Sequence, residues 1–192
     1  MRQGPGVFKL DICRVLDDLE NDLTSVARTI LRDLYEDLQR LDVRIRQVSD
    51  EIEDIADAYE RARRLMTIPG IGPLGATAIL SAIGDPERFS KARDVAAWLG
   101  PVPRRYSTGG KQNLLGISKR GNNYLRRLII HGARSCMMHL DRNKDRLGSW
   151  IDALRLRMHV NKVTVALAAK LARIVWVILT KPGATYIRQA AI

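Results

Sequence analysis

Cysteine is scarce in this chain, with two residues, Cys13 and Cys136, in 192. Two thiols so far apart form neither a disulfide framework nor a metal-ligand spacing, which makes a reducing cytoplasm the expected compartment. Histidine is equally thin: His131, His139 and His159 have no clustered cysteine or carboxylate partners and give no zinc site. Aromatic residues make up 5% of the sequence, too few for a row of base-stacking platforms, which disfavours single-stranded nucleic acid as the main ligand. No stretch alternates polar and apolar residues at period two, so no strand is expected and the fold class reads as all-α. No secretory pattern stands at Met1-Arg2-Gln3-Gly4-Pro5. The most apolar stretch, 163–179, is broken by Lys170 and Arg173, as suits a buried helix rather than a membrane span.

What is abundant is charge, and it is segregated. Residues 1–60 hold 8 Lys and Arg against 15 Asp and Glu, a net of −7, whereas residues 61–192 hold 24 against 6, a net of +18. The two parts therefore have different partners. The basic part is an electrostatic footprint for a polyanion, with duplex DNA or structured RNA first among the candidates; a ribosomal or chromatin protein has the same profile.

Read in order, residues 1–23 carry mixed charge without a clear period and read as a partly ordered lead-in. Residues 24–66 read as one long helix, capped by Thr24 or Ser25, with an apolar seam at alternating spacings of 4 and 3. Leu38, Ile45, Ile52 and Tyr59 take the a positions of a heptad, and Leu34, Leu41, Val48, Ile55 and Ala62 the d positions. A narrow stripe with an acidic outer face points to a coiled coil, hence to a homo-oligomer or an antiparallel partner; the alternative is a helix packed on its own domain. Residues 67–183 read as a compact helical domain and 184–192 as a tail.

The domain opens with Ile68-Pro69-Gly70-Ile71-Gly72-Pro73-Leu74-Gly75, a helix-hairpin-helix signature in which Gly70 and Gly72 allow a tight turn and expose N–H groups to a DNA phosphate. An ordinary turn between two helices is the plainer reading. Further helices are expected over 76–83, from Ser90 to Leu99, from Ser118 or Asn122 to Met138, over 146–158 and over 162–180. Between them lies the stretch with the most chemistry, Pro103 to Gly121. Ser107 sits between Arg104 and Arg105 on one side and Gly109, Gly110 and Lys111 on the other, an arrangement suited to cradling a phosphate beside a hydroxyl. Lys119, Arg120, Arg126 and Arg127 extend the cationic character. The competing reading is a basic surface loop with a Gly-Gly turn.

The segments Ile-Pro-Gly-Ile-Gly-Pro, Tyr-Ser-Thr-Gly-Gly-Lys and Gly-Ile-Ser-Lys-Arg-Gly-Asn-Asn-Tyr-Leu-Arg-Arg-Leu, ending in His131-Gly132-Ala133-Arg134, resemble the C-terminal transposase domain of the DEDD-type insertion-sequence transposases. That family includes bridge-RNA-guided recombinases and pilin-gene invertases, and the resemblance covers about residues 60–180. It implies a DNA transposase or site-specific recombinase domain in which Ser107 is the nucleophile, DNA the partner and a structured guide RNA a second candidate partner. It also implies a coiled coil that assembles protomers through Leu34, Leu38, Leu41, Ile45, Val48, Ile52 and Ile55. Ser118 and Tyr106 are the rival nucleophiles, Ser118 being expected instead to cap a helix. The family's metal-binding carboxylates lie in an N-terminal RNase-H-like domain, which the 23 residues before the long helix are too few to form. The expectation is therefore a C-terminal part with no cofactor or metal of its own, Mg²⁺ belonging to the missing domain, and with the acidic residues of 11–60 forming a solvated face. A non-catalytic nucleic-acid-binding module, or a fragment that assembles with or inhibits an intact transposase, is the alternative.

Overall fold

The computed structural model describes residues 5–108, 111–118 and 120–189. Its contacts divide the chain into two compact units, Met1–Asp50 and Glu51–Ile192. Helices dominate among the described residues, as the absence of alternating patterns predicts.

The first unit contains α1 (Pro5–Asp17) and the larger part of α2 (Ser25–Ala58). The segment read as a partly ordered lead-in thus holds a 13-residue helix. Ile12 and Leu16, one turn apart, are buried. Phe8 meets Tyr35 edge to face at 6.3 Å, Lys9 pairs with Asp42, Asp17 accepts from Arg32 at 2.8 Å, and Arg28 donates to the Leu16 carbonyl at 2.8 Å. Rising numbers on α1 thus face falling numbers on α2, so the two helices are antiparallel. The apolar seam of α2 is only partly covered. Leu38, Val48 and Ile52 are half-buried, while Leu34, Leu41 and Ile45 are each about 60% exposed and Ile55 50%.

In the second unit the long helix expected to reach residue 66 is interrupted. Tyr59 is extended, and α3 (Glu60–Met66) follows it, with Ala62 and Leu65 buried. Helix α4 (Pro73–Ile83) begins three residues before the 76–83 expected, at a proline whose fixed φ suits a first turn. A short 3₁₀ turn capped by Asp85 leads to α5 (Ala92–Leu99), which starts two residues after the expected Ser90, with the Lys91 amide donating to Asp94 at 3.0 Å. After the central segment come α6 (Asn123–His139), α7 (Arg146–Arg155) and α8 (Val160–Thr180). Helix α8 is the axis of the core. Val163, Leu167, Ala168, Leu171, Ala172, Val175 and Ile178 recur on one face, are buried, and pack against α3, α5, α6 and α7. It is the one described helix long and apolar enough to cross a membrane, and its apolar face is the centre of this core.

The chain after α8 is strapped onto the domain. Arg64 donates to the carbonyls of Ile178, Lys181 and Ala184, and the Tyr186 amide donates to Thr67 Oγ1 at 2.8 Å. Further along, the Tyr186 hydroxyl reaches both oxygens of the buried Asp145, at 2.9 and 3.0 Å, and the Arg146 amide donates to the Gln189 carbonyl at 2.7 Å. Burial first, then the hydrogen bond to Asp145, push the Tyr186 phenol well above the ordinary tyrosine range. The folded state therefore favours the neutral phenol, and the strap's contribution is complete below about pH 10 and falls as the pH rises beyond it. Replacing Tyr186 with Phe leaves a buried carboxylate one donor short and should cost about 1–3 kcal/mol at neutral pH in urea unfolding. The variant should also lose the part of the stability decline above about pH 10 that the wild type owes to this phenol.

Candidate functional site

The segment that carries Ser107 is a β-hairpin rather than the loop expected from sequence. Strand β1 (Pro103–Thr108) pairs antiparallel with β2 (Lys111–Ile117). Arg105 lies opposite Leu114, Tyr106 opposite Asn113, Ser107 opposite Gln112 and Thr108 opposite Lys111, with a bulge between Pro103 and Arg105. Ser107 and Lys111 are thus in adjacent rungs at the end of the ladder, next to the Gly109-Gly110 connection. Those two glycines lie outside the described residues, as do Lys119 and the side chains of Arg105, Tyr106, Ser107 and Lys111.

The hairpin's base is closed by two backbone crossings. Gly100, at φ 83° and ending α5, would bring an added Cβ to 2.3 Å from the Arg120 carbonyl oxygen; at Gly121, φ 89°, it would come to 1.7 Å from the Trp98 carbonyl oxygen. Neither position has room for a side chain, and both need the left-handed region that glycine enters freely. Ser118 completes the closure: its amide donates to the Val102 carbonyl at 2.8 Å and its hydroxyl to the Gly100 carbonyl at 3.4 Å. Of the two residues proposed to start α6, the cap is Asn122, whose side chain accepts from the Leu125 amide at 3.1 Å. Ser118 is thus not a helix cap, and its hydroxyl is engaged at the base.

The predicted phosphate ligands separate into two groups. Arg104, Arg120 and Arg127 are exposed. Arg126 is not available. It is 8% exposed, donates to the Arg120 carbonyl at 3.2 Å and to Asn123 Oδ1 at 2.9 Å, and supports the crossing at Gly100. The reason lies in helical spacing, since Arg126 shares the face of Ile129 and Ala133 while Arg127 is turned about 100° away. Gly70 is exposed as well. Its φ is 87°, and a Cβ there would meet the Gly132 carbonyl oxygen at 2.1 Å, so close packing of the turn on α6 also demands a glycine. Gly72 is exposed at the N-cap of α4, with open space around it. Among the described residues no three His, Cys, Asp or Glu side chains come together as a metal site.

Residues 62–147 match the family described as Transposase IS116/IS110/IS902. The chain is 38% identical over 181 residues to the transposase for insertion sequence element IS1111A of Coxiella burnetii, covering 94% of this chain and 50% of that protein. It is 43% identical over 152 residues to a probable family 20 transposase of Pseudomonas aeruginosa, covering 79% and 45% respectively. With the transposase for insertion sequence element IS1328 of Yersinia enterocolitica the identity is 41% over 162 residues, covering 84% and 48%. The chain thus spans about half the length of the curated relatives it matches.

The burial of Arg126 and the exposure of Arg127 give opposite expectations for neighbouring residues of the same type. Arg126→Gln should lower stability by about 1–3 kcal/mol, by stranding the Arg120 carbonyl and Asn123, while leaving the salt dependence of nucleic-acid binding unchanged. Arg127→Gln should leave stability within about 0.5 kcal/mol and reduce the log-log salt slope by about 0.9, the contribution of one phosphate. Chemical unfolding and binding titrations at several salt concentrations check both.

Proposed function

We propose, on the premise that residues 62–147 carry an IS116/IS110/IS902-family transposase domain, that this chain binds DNA through its phosphates and supplies Ser107 as the nucleophile for strand cleavage and exchange. The observation that carries the reading is the hairpin register, which sets Ser107 in the second rung from the Gly109-Gly110 connection, two residues after Arg105 on the same strand. In the reaction the Ser107 Oγ–P bond forms as the P–O bond to one deoxyribose breaks. The serine proton leaves to a base and the departing sugar oxygen takes up a proton. A serine hydroxyl is a weak nucleophile at neutral pH, so it needs activation and an environment that meets the charge on the transferring phosphoryl oxygens. Arg104, Arg105 and Lys111, with the Gly109 and Gly110 amides, are the groups assigned to that charge. Arg120, Arg127, Lys119 and the turn at Gly72 are assigned to holding the duplex backbone, and a structured guide RNA is a second ligand of the same surface. As the resemblance implies, activation is assigned to a separate carboxylate-bearing domain of the RNase-H-like kind.

The alternative is a non-catalytic nucleic-acid-binding or assembly module, favoured by the exposed apolar residues of α2. We assign Leu34, Leu41, Ile45 and Ile55, with the half-buried Leu38, Val48 and Ile52, to a seam between protomers. Sedimentation at tens of micromolar should find a dimer or larger species that Ile45→Asp converts to monomer. A wild-type monomer under those conditions removes the seam from the account.

The catalytic reading is tested by trapping a covalent protein–DNA adduct on a nicked substrate, with a carboxylate-bearing domain supplied in trans. Ser107→Ala should abolish the adduct and change DNA affinity by less than about 1 kcal/mol, since one neutral hydroxyl contact is lost. Ser118→Ala and Tyr106→Phe should still form it. An adduct that survives Ser107→Ala and vanishes in either control moves the nucleophile to that residue.

A further inference from the structure

Helix α8 carries two stripes. One is the buried apolar face; the other is Lys170, Arg173, Ile174 and Val177, spaced 3, 1 and 3 apart and therefore on one side of the helix. This second stripe, with Ala92 at the start of α5 and Trp150 on α7, lines an open pocket of about 350 Å³. It shares no residue with the hairpin or its base. The Lys170 ammonium lies 4.2 Å from the centre of the Trp150 ring, so the indole fixes the position of the charge. Arg173 donates from Nε to the Ala169 carbonyl at 3.0 Å, which orients the guanidinium beside it. Among the described residues neither cation is bonded to a carboxylate. Burial, and after it the neighbouring Arg173 charge, hold Lys170 below the ordinary lysine range, with Asp145 opposing them. The pocket thus concentrates two positive charges over an apolar floor of Ala92, Ile174 and Val177.

We infer that this pocket is a second anchoring site for a nucleic-acid backbone, in which Lys170 and Arg173 hold a phosphodiester and the apolar floor receives the adjoining sugar. The inference rests on the reading of the chain as a nucleic-acid-binding transposase domain, and it adds to that reading a grip separate from the hairpin. Phosphate is favoured over an acidic polypeptide because residues 61–192 carry a net charge of +18, a field suited to a densely charged polymer. The oxygens of a phosphate can accept from an ammonium and a guanidinium at once. Two such sites would fix the direction in which a strand crosses the domain, which one site cannot do.

The test uses the full chain and two labelled probes, a 20-base-pair DNA duplex of arbitrary sequence and an RNA stem-loop of equal length, followed by fluorescence anisotropy at several salt concentrations. The double variant Lys170→Gln/Arg173→Gln should reduce the log-log salt slope by about 1.8, two phosphate contacts, and weaken binding about tenfold at moderate salt. Ala92→Phe, or Ala92→Leu should the first not fold, keeps every charge but fills the pocket, and should reduce the slope in the same direction. A change on the duplex alone assigns the strand to DNA, on the stem-loop alone to RNA, and on both to either backbone. The inference is overturned if the folded double variant keeps the wild-type slope on both probes, or if filling the pocket has no effect while removing the charges does. It is also overturned if polyglutamate, at equal charge, displaces the probes through the same two cations, which would make the ligand an acidic polypeptide. Adduct formation separates this from the catalytic reading: a wild-type slope in the double variant with the Ser107 adduct intact removes the pocket alone.

Discussion

Contact of backbone with backbone, at points where no side chain fits, is the constraint on which the arrangement of the second unit depends. The turn between α3 and α4 rests on α6 through Gly70 and Gly132, each of which would place a Cβ within 2.2 Å of the other's carbonyl oxygen. The hairpin closes through Gly100 against Arg120 and Gly121 against Trp98. A methyl group at any of these places pushes one element off another by more than the interior can absorb, because packing is already close to that of a crystal. The same contacts fix the two ends of the segment that carries Ser107, and Arg126 reinforces them from inside. Precision at the hairpin is thus derived from the α8-centred core, to which α5 and α6 both belong.

The cations of the domain divide by what they neutralise. Arg126 and Arg64 face carbonyl groups of the chain's own backbone and hold a loop and the C-terminal strap in place. Arg104, Arg120 and Arg127 face solvent, and Lys170 and Arg173 line a pocket. A guanidinium satisfies several acceptors in a fixed plane, which explains why both internal clamps are arginines. In the exposed group the field counts more than any single geometry, so those residues should act additively on an extended polyanion.

Much of this was legible in the sequence. The apolar stretch 163–179, broken by Lys170 and Arg173, emerged as the buried helix α8 it was read as, and the helices expected over 76–83 and 146–158 emerged within about three residues of their expected ends. The hairpin did not, because its strands are held by backbone pairing that needs no apolar alternation, and Leu114-Leu115-Gly116 breaks the alternation that would have marked β2. Its one signal, Gly109-Gly110 between two extended runs, is a hairpin signature as well as an anion cradle. Helix α1 was missed because, among its described side chains, Ile12 and Leu16 alone are strongly buried. Arg126 carried a readable signal in its spacing of 3 and 7 from Ile129 and Ala133, but two adjacent arginines in a basic stretch look alike until a helix face is assigned. The pocket at Trp150 and Lys170 joins residues 20 apart in the chain and depends on how α7 packs against α8.

The central claim of the proposed function is that the chemistry sits on this pinned hairpin. The most direct measurement is tandem mass spectrometry of a nuclease-trimmed covalent protein–DNA adduct, which locates the nucleotide remnant on a single residue. The account predicts a remnant on Ser107, in the peptide between Arg105 and Lys111. A remnant on Tyr106, on Ser118 or on a residue outside the hairpin would contradict it.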